Sequence, residues 1–570
     1  MGAALVAMGN RFRHWLRIPV APGLGLATDC ALGAGALGMV VLPLALLGWV
    51  HGAILASIPV VFALVGRWRW IRGGVRRSLP VLPLAGLLPL ALAPPVLFYD
   101  ALAYHLGLPW QVIQEGMLTP HPENLFAAFP PLAQLLYLPP LAWGLDRVPA
   151  LLHLGSFGAV MVGVAALARS LGAPRGLALL SAVCVPVLPI LTVVPALPAA
   201  EGWCLVAVLP AVGLVLGRSR PGFPVLVGLL SGIALAARMQ GMVWFGVLLA
   251  ADLVRRRRPK DTVVTVLGAV VGGAPWWLKN GVLLGDPLAP LGWQREGMEI
   301  LWRDGRVPLL TSAPSMAWVV DAAHQLLPHA AYLGPLVLAA VLAVYLRRRV
   351  SHLVAAGIIL ASVPGWYVTG SQTRFLAPTL VLVLSLAAAA AGTAAGRLAA
   401  ALSLGITLML GTAMSARKVV DLWVPGLPMA PAASLPPRLV INNPFPAFAA
   451  MGPHVGEVSR ALVVGDPRGF GVPFPFSVTS QCDPSPLRDA VDGASGPEDV
   501  VAWLADQGYS HLVVNHGELR RLQGGYPVSP FRTAAGERIW YAFLAMSEPA
   551  VAGSGGVMLY RVSAPASGTR

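Results

Sequence analysis

The chain has 570 residues, 56% of them hydrophobic and only 11% charged, with a formal net charge of +15. Soluble domains carry about 25% charged residues, so a water-soluble globular protein is excluded and a polytopic membrane protein is indicated. The basic excess does not point to nucleic acid: the arginines cluster in short turns between apolar runs, where the positive-inside rule places cytoplasmic loops facing anionic lipid.

Residues 1–28, with Arg11, Arg13 and Arg17, lack the compact apolar stretch and cleavage site of a secretory signal and read as a cytoplasmic N-terminal arm. A spanning helix takes roughly 20 apolar residues, and candidate spans alternate with basic turns from there on. Residues 29–49 run outward, 51–66 return to the turn Arg67 to Arg77, and 79–98 run outward again. Residues 148–168 return to Arg169 and Arg175, 176–197 run outward, and 202–217 return to Arg218 and Arg220. The pair 222–237 and 241–254 ends at Arg255 to Arg258, and 262–278 run outward. Residues 331–346 return to Arg347, Arg348 and Arg349, followed by 350–368, 375–395 and 398–416.

The result is an all-α transmembrane domain, 29–424, of about 13 spans, with external loops at 99–147 and 279–330. One missed span would invert every later basic cluster, yet nearly all fall on one side. Ala128 to Trp143 holds four prolines and reads as a non-spanning or re-entrant piece at the outer surface. No internal repeat of 20–50 residues is visible.

Composition changes near residue 425 after a proline-rich link, Pro425 to Pro437. A strand at Ala461 to Asp466, a helix at Pro497 to Gln507, a strand at Gly508 to Asn515, and late strands at Ile539 to Leu544 and Val557 to Val562 predict a small α/β domain, 425–570, outside the cytoplasm. Gly465 to Gly471 is glycine-rich after a strand but lacks dinucleotide-binding spacing. The four Cys show neither metal-ligand nor disulfide-framework spacing.

Polar groups gather in the first external loop: Asp100, Tyr104, His105, Gln111, Gln114, Glu115, His121, Glu123 and Asn124. Leu106, Trp110, Ile113 and Met117 fall on one helical face, so Ala103 to Met117 reads as an amphipathic helix on the membrane. Asp100 directly follows an apolar stretch. An ionisable group at a membrane mouth is costly without a partner or a task, and a carboxylate there is placed to act as a general base on an acceptor hydroxyl.

Four segments, in order, resemble GT-C glycosyltransferases, polytopic enzymes that take sugars from polyprenyl-phosphate carriers. The first is Asp100 with Tyr104-His105-Leu-Gly-Leu-Pro109, Gly116, Phe129-Pro130 and Gln134-Leu-Leu. The second is Pro195 to Trp203, containing Glu201; the third is Ala274 to Pro287, containing Pro275-Trp276, Lys279-Asn280 and Gly285-Asp286-Pro287; the fourth is Ser371 to Pro378, containing Arg374-Phe375-Leu-Ala-Pro378. The likeness covers roughly residues 80–420. It is similar above all to the bacterial families related to protein mannosyltransferases and to lipopolysaccharide-core glycosyltransferases.

The resemblance implies a multi-pass enzyme of the bacterial inner membrane, with a polyprenyl-phosphate sugar donor and an extracytoplasmic glycan, lipid or protein acceptor. Asp100 matches the catalytic acid of the family's first loop. A second acid often stands beside it; here the neighbour is Ala101, a departure that weakens a paired-carboxylate site, although a divalent metal such as Mg or Mn remains an expectation. Glu201 supplies either a second carboxylate or an interfacial helix-end charge, and Glu123 is a further candidate. Lys279 and Arg374 sit at outer helix ends against the general charge rule, matched either to a lipid phosphate or to Asp286 and headgroups. Arg238, between two short spans, is a further candidate for the carrier. Tyr104 and His105 are expected to orient substrate, and Asn280 either braces the loop or touches substrate. Trp276, Trp277, Trp293 and Trp302 are belt residues or sugar-stacking surfaces. A transporter or flippase of envelope glycolipids, or a non-catalytic scaffold, is the rival reading. It is disfavoured because the polar residues lie in external loops and at helix tops rather than on paired broken helices.

Overall fold

The computed structural model describes residues 1–20, 22–67, 79–217, 220–256, 258–294, 296–304, 307, 315–553 and 556–562. Most of the basic turn expected at 67–77, together with Arg218 and Arg257, lies outside the described residues. Among the described residues, five helices are long and apolar enough to cross a membrane: Gly23–Leu46, Val148–Ser170, Met316–Arg347, Val350–Gly370 and Ala394–Leu422. Pro259–Gly272 and Ala274–Leu284, bent by 57° at their junction, make a sixth when taken as one span. Seven shorter apolar helices among the described residues pack with them, and the chain is embedded in a membrane.

Proline explains why fewer helices reach spanning length than the sequence suggests. The expected span 79–98 is a 3-10 segment, Leu79–Leu87, and one α-turn, Leu88–Ala91, because Pro80, Pro83, Pro89, Pro94 and Pro95 remove backbone donors. The expected span 176–197 is the helix Arg175–Cys184 followed by irregular backbone through Pro186, Pro189 and Pro195. That backbone is buried inside protein, where irregular structure at membrane depth is tolerated. The four-proline segment is likewise not a surface piece: Leu132–Ala142 is a helix buried from Leu132 to Leu141.

The interior helices Glu201–Leu216, Phe223–Ala237 and Ala377–Ala388 are buried on all sides, as helices apolar all round must be. Phe223–Ala237 and Pro259–Gly272 approach each other through small residues. A Cβ on Gly228 or Gly232 would lie 2.1 and 2.2 Å from the carbonyl oxygens of Thr265 and Ala269, and Gly268 and Gly272 face them in return. Two Gly-x-x-x-Gly stripes thus let these helices meet backbone to backbone. The contact fixes the end of Phe223–Ala237, where Arg238 sits, against the start of Ala274–Leu284, which carries Lys279. At the N-terminus, Gly2–Trp15 packs along Pro22–Leu46, with Asn10 and Arg13 bonded to the buried Asp29 at 2.7 and 2.5 Å.

The C-terminal region forms a five-stranded sheet in the order β2-β1-β3-β5-β4, with β1 Ala461–Val464, β2 Phe476–Val478, β3 His511–Asn515, β4 Pro549–Ala552 and β5 Val557–Arg561. β1 pairs in parallel with β2 and β3, and β5 runs antiparallel to β3 and β4. The strand expected at Ile539 to Leu544 is instead part of the helix Ala534–Met546. Its Thr533 cap accepts from the Gly536 amide, and Trp540 and Phe543 share the buried face at helical spacing. One sheet face, with Leu462, Val464, Leu512 and Val514, packs on that helix and on Pro497–Asp506. The other face, with Val463, Phe476, Val478 and Val513, joins the core of the membrane domain. Sandwiching on both sides explains why β1 and the middle of β3, Leu512 to Val514, are apolar throughout.

Candidate active site

Asp100 opens a π-turn, Ala101–His105, closed by the Leu106 amide on the Ala101 carbonyl at 2.7 Å. Such i to i+5 turns are rare and concentrate at functional sites. The amphipathic helix expected over 103–117 begins only after this turn, at Gly107, and ends at Glu115 on Gly116 with φ +74°. The turn places Asp100, Tyr104 and His105 on the wall of one cavity. Tyr104 and His105 pack ring to ring at 4.3 Å, and His105 also stacks on Phe98 at 6.4 Å. Burial pushes the His105 imidazole down to about 3, against the pull of Glu201 and Asp100, so it is neutral at physiological pH. Burial, reinforced by Asp100, raises the Tyr104 phenol.

The cavity measures about 180 Å³. Arg374 crosses its wall and joins two carboxylates, with Nη2 2.8 Å from Asp100 Oδ2 and Nε 3.7 Å from Glu201 Oε1. Arg238 pairs with the same Glu201 oxygen from the other side. Two acids and two guanidiniums thus form one neutral chain, Asp100–Arg374–Glu201–Arg238. Both guanidiniums lie over the Phe375 ring, at 4.3 Å for Arg238 and 5.4 Å for Arg374. Each arginine is also steadied by a glutamine two residues away: Arg238 donates to Gln240 at 3.3 Å and Arg374 to Gln372 at 3.1 Å.

The other expected site residues stand apart from this cavity. The Lys279 ammonium donates to the carbonyls of Ala127 and Phe129, and Asn280 donates to Ala128 at 2.9 Å and Ala289 at 2.7 Å. With Trp276 also on Ala128 at 2.9 Å, these residues take up three consecutive carbonyls behind Phe129, which lines the cavity. Asp286 accepts from Trp293 rather than from Lys279. Glu123 belongs to a separate cluster in which His121 lies 3.1 Å from Glu123 and 3.2 Å from Glu115. Of the four tryptophans, Trp302 reaches the cavity wall.

Several wall residues were not legible beforehand: Gln240, Gln372, Asp304, Gln481 and Cys482. The last two come from the C-terminal domain, which docks on the first loop through backbone carbonyls. Trp110 donates to Val472 at 2.7 Å, Gln111 to Phe476 at 2.9 Å and Asn124 to Val478 at 3.0 Å, while Asp483 accepts from the Leu125 amide at 2.8 Å. The domain therefore roofs the cavity. The signal in the sequence was the gathering of polar groups in the first loop, Gln111 and Asn124 among them.

Among the described residues no three His, Cys, Asp or Glu side chains converge as metal ligands. Asp100 and Glu201 are each held by arginine, and Asp304, the other acid on the wall, lies 3.6 Å from Arg303. This donor set does not fit the divalent cation entertained from the sequence.

No protein-family model and no curated protein matches this sequence. Among solved structures, ArnT from Cupriavidus metallidurans in the apo state aligns with a TM-score of 0.52 at 12% identity, over 85% of this chain and 98% of that one. ArnT is a GT-C glycosyltransferase. The chain has the GT-C fold. ArnT bound to undecaprenyl phosphate aligns over the same shares with a TM-score of 0.47 and 12% identity. At this identity the likeness establishes the fold, and the GT-C fold by itself does not establish a reaction.

Proposed function

We propose that this protein is an inverting membrane glycosyltransferase that moves a sugar from a polyprenyl-phosphate carrier to an extracytoplasmic acceptor. The observation that carries this reading is the Asp100–Arg374 pair, 2.8 Å apart on the wall of a cavity in a GT-C fold. The base the chemistry needs and a cation for the leaving phosphate thus already touch. In the resting protein Arg374 holds Asp100. A carrier phosphodiester entering the cavity competes for Arg374 and Arg238, and frees Asp100 to accept the proton of the acceptor hydroxyl. The hydroxyl oxygen then attacks the anomeric carbon, the bond from that carbon to the phosphate oxygen breaks, and the carrier leaves as polyprenyl phosphate. The guanidiniums meet the charge that gathers on it. Lys279 and Asn280 act at one remove, by holding the segment behind Phe129.

In this reading the cavity and the C-terminal domain face away from the cytoplasm in a bacterial inner membrane, an orientation that the clustering of arginines in the short turns of the sequence supports. The test compares cell-envelope glycans made by wild type and Asp100→Asn, with membrane expression checked in parallel. Loss of a defined glycan product at normal expression supports the assignment. A full yield of product from the variant removes Asp100 from the chemistry and favours a transporter of envelope glycolipids.

A further inference from the structure

The charged groups of the cavity are already committed to one another, and four uncharged ones stand beside them. Tyr104, His105, Gln134 and Gln481 all line the wall, and the Oε1 of Gln481 is buried with no hydrogen-bond partner among the described residues. Gln134 is 9% exposed and His105 8%. Buried polar groups are nearly always satisfied, so the unpaired Gln481 Oε1, facing three further polar side chains across one cavity of about 180 Å³, marks a place where a ligand supplies the partners.

The chemistry of the four is uniform. A phenol, an imidazole held neutral and two carboxamides can each donate and accept, which is the complement of a sugar hydroxyl. No unspent charge accompanies them. Arg238 and Arg374 are neutralised by Glu201 and Asp100 in the resting protein, and once the phosphate engages Arg374 the freed Asp100 is committed to the proton of the acceptor hydroxyl. The remaining carboxylate on the wall, Asp304, lies 3.6 Å from Arg303. An ammonium or a carboxylate on the sugar would be desolvated without a free counter-charge, a penalty that neutral hydroxyls escape.

Resting on the carrier-dependent transfer proposed above, we infer that this subsite, shared between the first loop, the buried helix Leu132–Ala142 and the C-terminal domain, selects a neutral sugar bearing only hydroxyls. Gln134 and Gln481 are its specificity-determining residues. The C-terminal domain is then part of the donor site and not merely a cover.

The experiment uses the full-length protein in nanodiscs and four probes: undecaprenyl phosphate, and the same carrier linked to glucose, glucosamine or glucuronate. These sugars differ mainly in charge. Glucose is expected to tighten binding at least tenfold over the bare carrier, and the two charged sugars to give no such gain. Gln134→Leu and Gln481→Leu are each expected to abolish most of the glucose increment while the affinity for undecaprenyl phosphate stays within about twofold. Because the sugar comparison is made on wild type, it stands even if one variant fails to fold. Tightest binding by glucosamine, lost in Asp304→Asn, overturns the inference in favour of an amino sugar. Equal binding of all four probes overturns the subsite and leaves the carrier reading intact, whereas no binding by any of them, the bare carrier included, overturns the carrier reading and this inference with it.

Discussion

The Tyr99 hydroxyl donates a 2.8 Å hydrogen bond to Glu518, 419 residues further along the chain, and Tyr99 is the residue next to Asp100. Glu518 is fully buried and also accepts from Arg521 at 2.6 and 2.9 Å and from Asn442 at 3.0 Å, with Arg468 3.7 Å away. The Arg468 and Arg521 guanidiniums lie over the Tyr99 ring at 5.3 and 5.7 Å. Burial would protonate Glu518, but its arginine and amide donors outweigh that and hold its carboxyl below the usual range. Burial, with Asp466 and Glu518 adding to it, keeps the Tyr99 phenol protonated and so a donor. The glycine-rich turn of residues 465–471, unexplained as a nucleotide loop, is what delivers Arg468 to this clamp.

Removing the clamp should therefore loosen Asp100 as well as the domain. Glu518→Gln takes the carboxylate from the half-exposed Arg521 while Arg468 keeps Asp466, and it weakens the charge-assisted bonds from both Tyr99 and Asn442, each worth about 1.5–3 kcal/mol. Tyr99→Phe deletes a single bond to a charged group, about 1.5–3 kcal/mol. Thermal unfolding should rank the two in that order, and kcat should fall more than donor KM changes in both. A Glu518→Gln protein with unaltered melting and kcat would show that the domain is docked independently of this contact.

Glu201 sets the charge of the cavity. It is 5% exposed and shared by Arg238 and Arg374. Glu201→Gln turns a neutral chain into one with a surplus positive charge beside the phosphate position. At the effective dielectric of a partly buried site, one unit charge at that range is worth on the order of 1–2 kcal/mol. Carrier binding is expected to tighten roughly tenfold. Turnover should slow, because Arg374 then holds Asp100 without competition. Titration with undecaprenyl phosphate and single-turnover rates measure the two halves separately; weaker carrier binding in the variant would falsify the charge argument.

What could be read in the sequence follows a physical divide. Asp100, Glu201, Arg238 and Arg374 stood out because a charge at the end of an apolar segment is expensive, and the structure gathers all four into one chain. Gln134, Gln372 and Gln481 carry no such penalty and look like ordinary polar residues until the fold closes a cavity around them. Lys279 shows the reverse problem. A cation aimed at a phosphate and one aimed at carbonyls leave the same mark in a sequence, and only the nearby turn at Ala127 to Phe129 separates them. The helical class and the small α/β tail were legible from periodicity. Span lengths were not, since hydropathy does not register how prolines cut Leu79–Leu87 or the backbone after Cys184. Ile539 to Leu544 reads as a strand on apolar content alone; the Thr533 cap and the Trp540–Phe543 spacing decide for helix.

Lys279→Met tests the positioning role directly. The carbonyls of Ala127 and Phe129 lose their donor inside the protein, at about 1–3 kcal/mol for each buried group left unpaired. The segment carrying Phe126 and Phe129 against Tyr104 should relax. Lower thermal stability and lower kcat are expected, with the affinity for undecaprenyl phosphate unchanged. A selective loss of carrier affinity at normal stability would instead return Lys279 to the phosphate.

The alkaline limit of the protein should be set by His121, at the seam between the first loop and the C-terminal domain. Burial works against its charge, but hydrogen bonds to Glu115 and Glu123 outweigh burial and hold it up to about 9. Glu115, although burial favours its neutral form, is drawn below the usual carboxylate range chiefly by His121, with Thr119 and Arg460 contributing. A histidine raised above its unfolded value of about 6.5 contributes stability that is complete below that value and lost as pH rises through the folded one. Melting temperature should therefore hold steady through neutrality and fall between about pH 7 and 9. His121→Gln should be less stable at pH 6 and lose that alkaline slope, so that the two proteins converge near pH 10. Equal slopes in wild type and variant would locate the alkaline transition elsewhere.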